Sequence, residues 1–224
     1  VRFLIIGDSW GCGEWSDDRD SDNNRIIPHA GTAQYLMDAG HTVTNLSCPA
    51  DNNWRQLRLA ERELAVNEYD YCVWFQTEPL RNIYEYSPFP DPQDIFLVEP
   101  NLEFDELLIG WYKKIYDCAD RLGIPVLAVG GLSPLHPLIL RYDNLIPVIW
   151  AWGEELTGTR QPYNTFWHTG KLAKDTDLSP QRMSTELSKC RRYEDAQELS
   201  DRFIAQHPDR HAHKQLTERL LNSI

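Results

Sequence analysis

At 224 residues, with 42% hydrophobic and 25% charged content and no internal repeat, the chain suits one α/β domain spanning residues 1–224. A domain of that size buries about 70% of its unfolded surface in a single core. A formal net charge of −12 excludes nucleic acid as the main ligand, because phosphate binding needs clustered Lys and Arg. The one short basic cluster, Lys189, Arg191 and Arg192, is offset by Glu194, Asp195 and Glu198 and reads as a solvated helix face.

Val1 to Ile6 is a continuous apolar run closed by Gly7, the pattern of a buried central strand. It is too short for a signal peptide or a membrane helix. Gly11 to His29 is polar and acidic and reads as a surface loop. Thr32 is placed to cap a short helix carrying Ala33, Leu36 and Met37, which Gly40 ends. His41 to Leu46 forms a second strand and Ser47 to Asn53 a loop. Asp51, Asn52 or Asn53 then caps a helix in which Leu57, Ala60 and Leu64 recur at helical spacing.

Tyr71 to Phe75 is a third strand, followed by a loop from Pro79 to Pro100 in which prolines rule out regular structure. Leu102 to Leu122 carries one apolar stripe, from Leu107 through Trp111, Tyr112, Ile115 and Ala119, and Gly123 stops it. Pro125 to Val129 and Pro147 to Trp152 supply the fourth and fifth strands. Residues 154–190 have weak periodicity and read as an insertion or partial lid. Tyr193 to Gln206 reads as a helix, His207 to His213 as a loop, and Leu216, Leu220 and Leu221 mark a closing helix. Strands alternating with helices over such connections predict a parallel sheet covered on both faces.

Five cysteines, odd in number, widely spaced and without a CxxC, argue against a disulfide framework or a zinc knuckle. Reduced thiols favour a cytoplasmic setting.

The strongest local signal is Phe3 to Gly11, F-L-I-I-G-D-S-W-G. A strand ending in Gly7-Asp8-Ser9 sets a hydroxyl at the C-terminal edge of a parallel sheet, where open α/β folds bind ligands. If a helix begins just after it, the Ser9 N–H points into the same space and is able to stabilise an oxyanion. No Gly-Lys-Ser/Thr follows, and Gly7, Gly11 and Gly13 do not match a dinucleotide fingerprint. A serine needs a base, and that base needs a third group to orient it. His207 to His213, H-P-D-R-H-A-H, offers both just before the closing helix.

Gly7-Asp8-Ser9 after the first strand, with an Asp-x-x-His or Asp-x-His element before the last helix, resembles the first and last blocks of SGNH (GDSL-like) hydrolases. The resemblance implies a flavodoxin-like three-layer α/β/α fold, the SGNH hydrolase fold, and ester hydrolysis through an acyl-enzyme. Its nucleophile, acid and base would fall on Ser9, Asp209 and His211. The second block, Asn45 to Asn52, puts Ala50 in the slot of an oxyanion-hole glycine. The third block normally supplies an Asn; here Phe75 to Arg81 reads F-Q-T-E-P-L-R, leaving Gln76 or Thr77 to donate, or Asn52 or Asn53 to reach across.

Asp8, Trp10, Asn52, Asn53 and Trp54 flank these blocks and are candidates for substrate contact, as is Trp15. No metal or organic cofactor is needed. The expected substrate is a small-molecule or glycan ester with a small acyl group such as O-acetyl. Three other assignments compete. The alternate His207, Asp209, His211 and His213 could ligate zinc or iron, although alternate residues of an extended loop diverge. His136 or His168 could serve as the base. The scaffold could also act as a binding or structural module with an impaired site.

Overall fold

The computed structural model describes residues 1–16, 20–22, 26–49, 51–77, 102–131, 134–157, 203–204 and 207–224. Its strands are β1 (Arg2–Gly7), β2 (Thr42–Asn45), β3 (Tyr71–Gln76), β4 (Val126–Gly130) and β5 (Leu145–Ile149). The helices are α1 (Ser9–Cys12), α2 (Gly31–Asp38), α3 (Asn53–Leu64), α4 (Leu102–Asp120), α5 (Trp152–Thr157) and α6 (Arg210–Leu221). A short antiparallel pair, β6 (Phe203–Ile204) with β7 (His207–Pro208), precedes α6.

The five-stranded sheet is parallel throughout, in the order β2-β1-β3-β4-β5. Successive side chains point to opposite faces, so the apolar run of β1 supplies both layers. Leu4, Ile6, Cys72, Trp74, Val126 and Ala128 pack on Leu57 and Ala60 of α3 and on Tyr112, Ile115 and Tyr116 of α4. Phe3, Ile5, Val73, Phe75, Leu127 and Val129 pack on Ala33 and Leu36 of α2 and on Ala212, Leu216 and Leu220 of α6. These are the three layers α/β/α of the flavodoxin-like fold that the resemblance implies. The order reverses between β1 and β3, which opens the usual binding crevice at their C-terminal ends.

Several boundaries differ from the sequence expectations, each for a local reason. β5 ends at Ile149 because Ala151 and Trp152 turn away to start α5. Among the described residues β5 is an edge strand, where a proline such as Pro147 is tolerated. Thr32 does not cap α2. The helix starts at Gly31, whose φ of +54° favours glycine, and the Thr32 hydroxyl bonds His213 instead. Phe203 and Ile204 pair as a strand and do not end a helix over 193–206; the rest of that segment lies outside the described residues. The proposed insertion at 154–190 begins inside α5, and its remainder also lies outside them.

Gly40 and Gly123 take positive φ at the ends of α2 and α4, as their positions in the sequence predict. Cys12, Cys48, Cys72 and Cys118 are unbridged. Among the described residues, no helix is long and apolar enough to cross a membrane.

Candidate active site

Ser9 is the first residue of α1, immediately beyond β1 at the switch in strand order. Asp8 caps the helix by accepting the Trp10 N–H at 3.0 Å. That cap defines how the chain leaves the sheet and holds the Ser9 side chain at the opening of the crevice. Gly7 is required by close approach: a Cβ there would lie 2.7 Å from the Phe75 Cβ.

The C-terminal segment reaches the same edge because Ala212, Leu216 and Leu220 anchor α6 under the sheet. Pro208 disfavours helical geometry at the residue before it, so His207 stays extended in β7. Its Nε2 lies 2.8 Å from the Ser9 Oγ. The imidazole that meets the serine is therefore His207 and not His211, the histidine expected from the sequence. His211 sits in the first turn of α6, exposed, 3.3 Å from the Gln215 Nε2.

Asp209, expected to orient that base, accepts the Ala212 N–H at 2.8 Å and caps α6. Counting back three residues from His207 meets Ile204, so an Asp-x-x-His element does not end on this histidine. The overlooked signal was Pro208 followed by a capping Asp, which together place the helix start between the two histidines.

Two further ties join the same segments. Arg210 Nε donates to Glu14 Oε2 at 2.9 Å, with Glu14 nearly buried. The fully buried His213 ring accepts the Thr32 N–H at 3.3 Å through Nδ1, which also lies 3.0 Å from the Thr32 hydroxyl. Burial, ahead of the charges of His29 and His207, pushes the His213 pKa down to about 3, so this ring is neutral. His207, His211 and His213 thus face the serine, the solvent and the core respectively. The competing assignment of a metal cluster to this segment finds no support in direction: among the described residues no group of three His, Cys, Asp or Glu side chains is placed to hold a metal ion.

The remaining candidates have structural duties. Trp10, a candidate for substrate contact in the sequence, is buried in the core, edge-on to Trp152. Asn52 caps α3 through the Arg55 N–H. The Asn53 amide pairs with both the N–H and the carbonyl of Thr77, each at 3.0 Å. That pairing commits the Thr77 N–H and fixes the end of β3 to α3. Gln76 is buried on the α4 side, beside the Tyr116 hydroxyl. Trp54 is half-buried, edge-on to Trp111. His136 caps a 3₁₀ turn at Pro137–Arg141 and stacks on Tyr112. Ala50 and His168 lie outside the described residues.

Cys12, three residues beyond Ser9, is pushed up to about 12 by burial and then by Asp8, Cys48 and Asp51. At neutral pH it therefore stays a thiol. Burial likewise raises the Asp51 carboxyl above its usual range.

No family model and no curated protein matches the chain. Solved structures similar in fold include TesA, at 15% identity and TM-score 0.44, covering 100% of this chain and 97% of that one. The psychrotrophic esterase EstA from Pseudoalteromonas sp. aligns at 12% identity and TM-score 0.45 over 99% of this chain and 95% of that one. Axe2, an acetylxylan esterase from Geobacillus stearothermophilus, aligns at 13% identity and TM-score 0.43 over 99% and 93%. Such likeness concerns the fold, and the chemistry of the site rests on its own geometry.

Proposed function

We propose that this chain is a serine hydrolase that cleaves small acyl esters through an acyl-enzyme, with Ser9 as nucleophile and His207 as base. The observation that carries the reading is the 2.8 Å contact between Ser9 Oγ and His207 Nε2. It lies within the 2.6–3.2 Å reach that a general base requires.

In the first step Ser9 Oγ attacks the ester carbonyl carbon while neutral His207 takes the hydroxyl proton at Nε2. The tetrahedral intermediate collapses, and the imidazolium returns that proton to the departing alkoxide. Water then attacks the acyl-enzyme with its proton passing to His207, and the acid leaves as Ser9 recovers its proton. Ser9 begins α1, so its N–H has no acceptor within the helix and is suited to the oxyanion. The second donor in this proposal is the Ala50 amide. A positioned base contributes about 10²–10⁴-fold to such a step.

The substrate we assign is an ester of a small acyl group, such as an O-acetyl group on a glycan. A net charge of −12 disfavours adsorption to anionic lipid surfaces, which supports small dispersed substrates over membrane lipids. Acetylated xylan, the substrate named for Axe2, is a practical first probe.

A fluorophosphonate probe tests the nucleophile. Intact mass should rise by one adduct, and Ser9→Ala should abolish it. A p-nitrophenyl series should give faster turnover for acetate than for decanoate; the reverse order would remove the small-acyl assignment.

A second reading, a binding module on the same scaffold, draws on the commitment of the Thr77 N–H to Asn53. Loss of one oxyanion donor costs about 10²–10³ in turnover. Absence of any adduct from pH 6 to 9 would favour that module.

A further inference from the structure

Trp15 touches both members of the pair. Its Nε1–H donates to the carbonyl of Ser9 at 2.7 Å, and its ring lies 5.0 Å from the His207 ring, tilted by 31°. A four-residue helix leaves its carbonyls to be satisfied from outside, and the indole does this for Ser9. Gly13, with φ +128° and its Cα side against the His29 carbonyl, turns the chain so that Trp15 folds back over the site. Trp15 is only 9% exposed, which fixes its ring plane.

From this we infer that Trp15 is a positioning residue: it holds the His207 imidazole in the plane that aims Nε2 at Ser9 and steadies the imidazolium formed on proton transfer. The inference rests on the Ser9–His207 reading above. A π face packs favourably on a neutral imidazole and attracts it more strongly once the ring is cationic. Stabilisation of that kind acts on the chemical step and not on substrate binding. A loose imidazole is costly, because misplacement by about 1 Å costs on the order of 10²-fold.

Other ionisable groups surround β7. Among the described residues, the elements packed against it carry Asp8 and Cys12 around α1, and Asp209, Arg210, His211, His213 and Lys214 at the start of α6. Glu14 is paired with Arg210. All of these are retained when Trp15 is replaced, so they form a common background for the variants.

The test compares wild type, Trp15→Phe and Trp15→Leu by kcat, KM and pH–rate profile on p-nitrophenyl acetate. A parallel NMR titration follows the His207 Cε1–H signal. Trp15→Leu should lower kcat by about tenfold or more with KM within about threefold. It should also remove the ring-current shift of His207 and move its titration to lower pH, because the imidazolium loses its aromatic face. Trp15→Phe, which keeps a ring but loses the Nε1–H, should retain the titration and lower kcat by less than Trp15→Leu does.

Unchanged kcat and an unchanged His207 titration in Trp15→Leu would overturn the inference. Should the leucine variant fail to fold, Trp15→Phe decides by itself: a fall in kcat at constant KM supports the anchoring role, and wild-type kcat overturns it. Failure of the catalytic reading has a separate signature, the absence of fluorophosphonate labelling at Ser9 in wild type. The NMR titration still reports on the Trp15–His207 pair in that event.

Discussion

The Ser9 hydroxyl and the His207 imidazole, 198 residues apart in the chain, meet at 2.8 Å. They meet because β1 ends at the switch in strand order and α6 belongs to the apolar layer on the Phe3 and Ile5 face of the sheet. Residues around this pair divide into those proposed to carry the chemistry and those that hold the two ends of the chain together.

Asp209, as the cap of α6, falls in the second group. Its carboxylate accepts the Ala212 N–H, so Asp209→Ala should cost about 1 kcal/mol of stability, the usual value of a lost cap. Turnover should stay within about tenfold of wild type, whereas losing the acid of a working triad costs about 10⁴. Urea unfolding and kcat measured on the same preparation distinguish these outcomes.

Glu14 and Arg210 form an asymmetric pair, with side chains 7% and 57% exposed. Removing the arginine leaves a nearly buried carboxylate without its charged donor. Arg210→Ala should therefore destabilise the fold by about 1–2 kcal/mol, and much less when Glu14 is already Gln. A double-mutant cycle in urea gives the coupling directly. Additive effects would mean that the pair contributes nothing.

His213 predicts an acid-sensitive fold. Burial lowers its pKa to about 3 in the folded chain, against a usual value of 6.5. Below pH 6.5 the unfolded state therefore takes up a proton that the folded state refuses. Stability is fully present above pH 6.5 and declines towards pH 3, with a slope approaching about 1.4 kcal/mol per pH unit. Comparing unfolding at pH 7.5 and pH 5 should show a smaller loss for His213→Gln, which does not titrate. Equal losses in both proteins would place the acid sensitivity elsewhere.

Gly7 tests the packing behind Ser9. A methyl group at this position would meet the Phe75 Cβ at 2.7 Å, so strand β1 must shift to accept it. Gly7→Ala should cost about 1–3 kcal/mol, as overpacking does. It should also reduce kcat, because Ser9 moves with the strand. Circular dichroism melts and turnover together check the two effects.

Much of the fold was legible in the sequence because its signals are local and repeated. Branched apolar runs mark β1, β3 and β4, an apolar stripe marks α4, and alternation of the two types implies a parallel sheet. The position of Ser9 followed from the strand before it. The partner histidine was less legible, since the spacing of Asp209 and His211 imitates a catalytic pair. A residue before proline stays extended, and an Asp just beyond that proline starts a helix. Those two rules put His207 at the sheet edge and carry His211 round to solvent. Contacts such as Asn53 with Thr77 depend on tertiary approach and leave no pattern in the chain.

The most direct test of the account is kcat/KM for His207→Ala beside His211→Ala, measured on p-nitrophenyl acetate with equal amounts of folded protein. The account predicts a loss of about 10³-fold or more for His207→Ala and a change within about twofold for His211→Ala. Full activity without His207, or inactivation by loss of His211 alone, would contradict it.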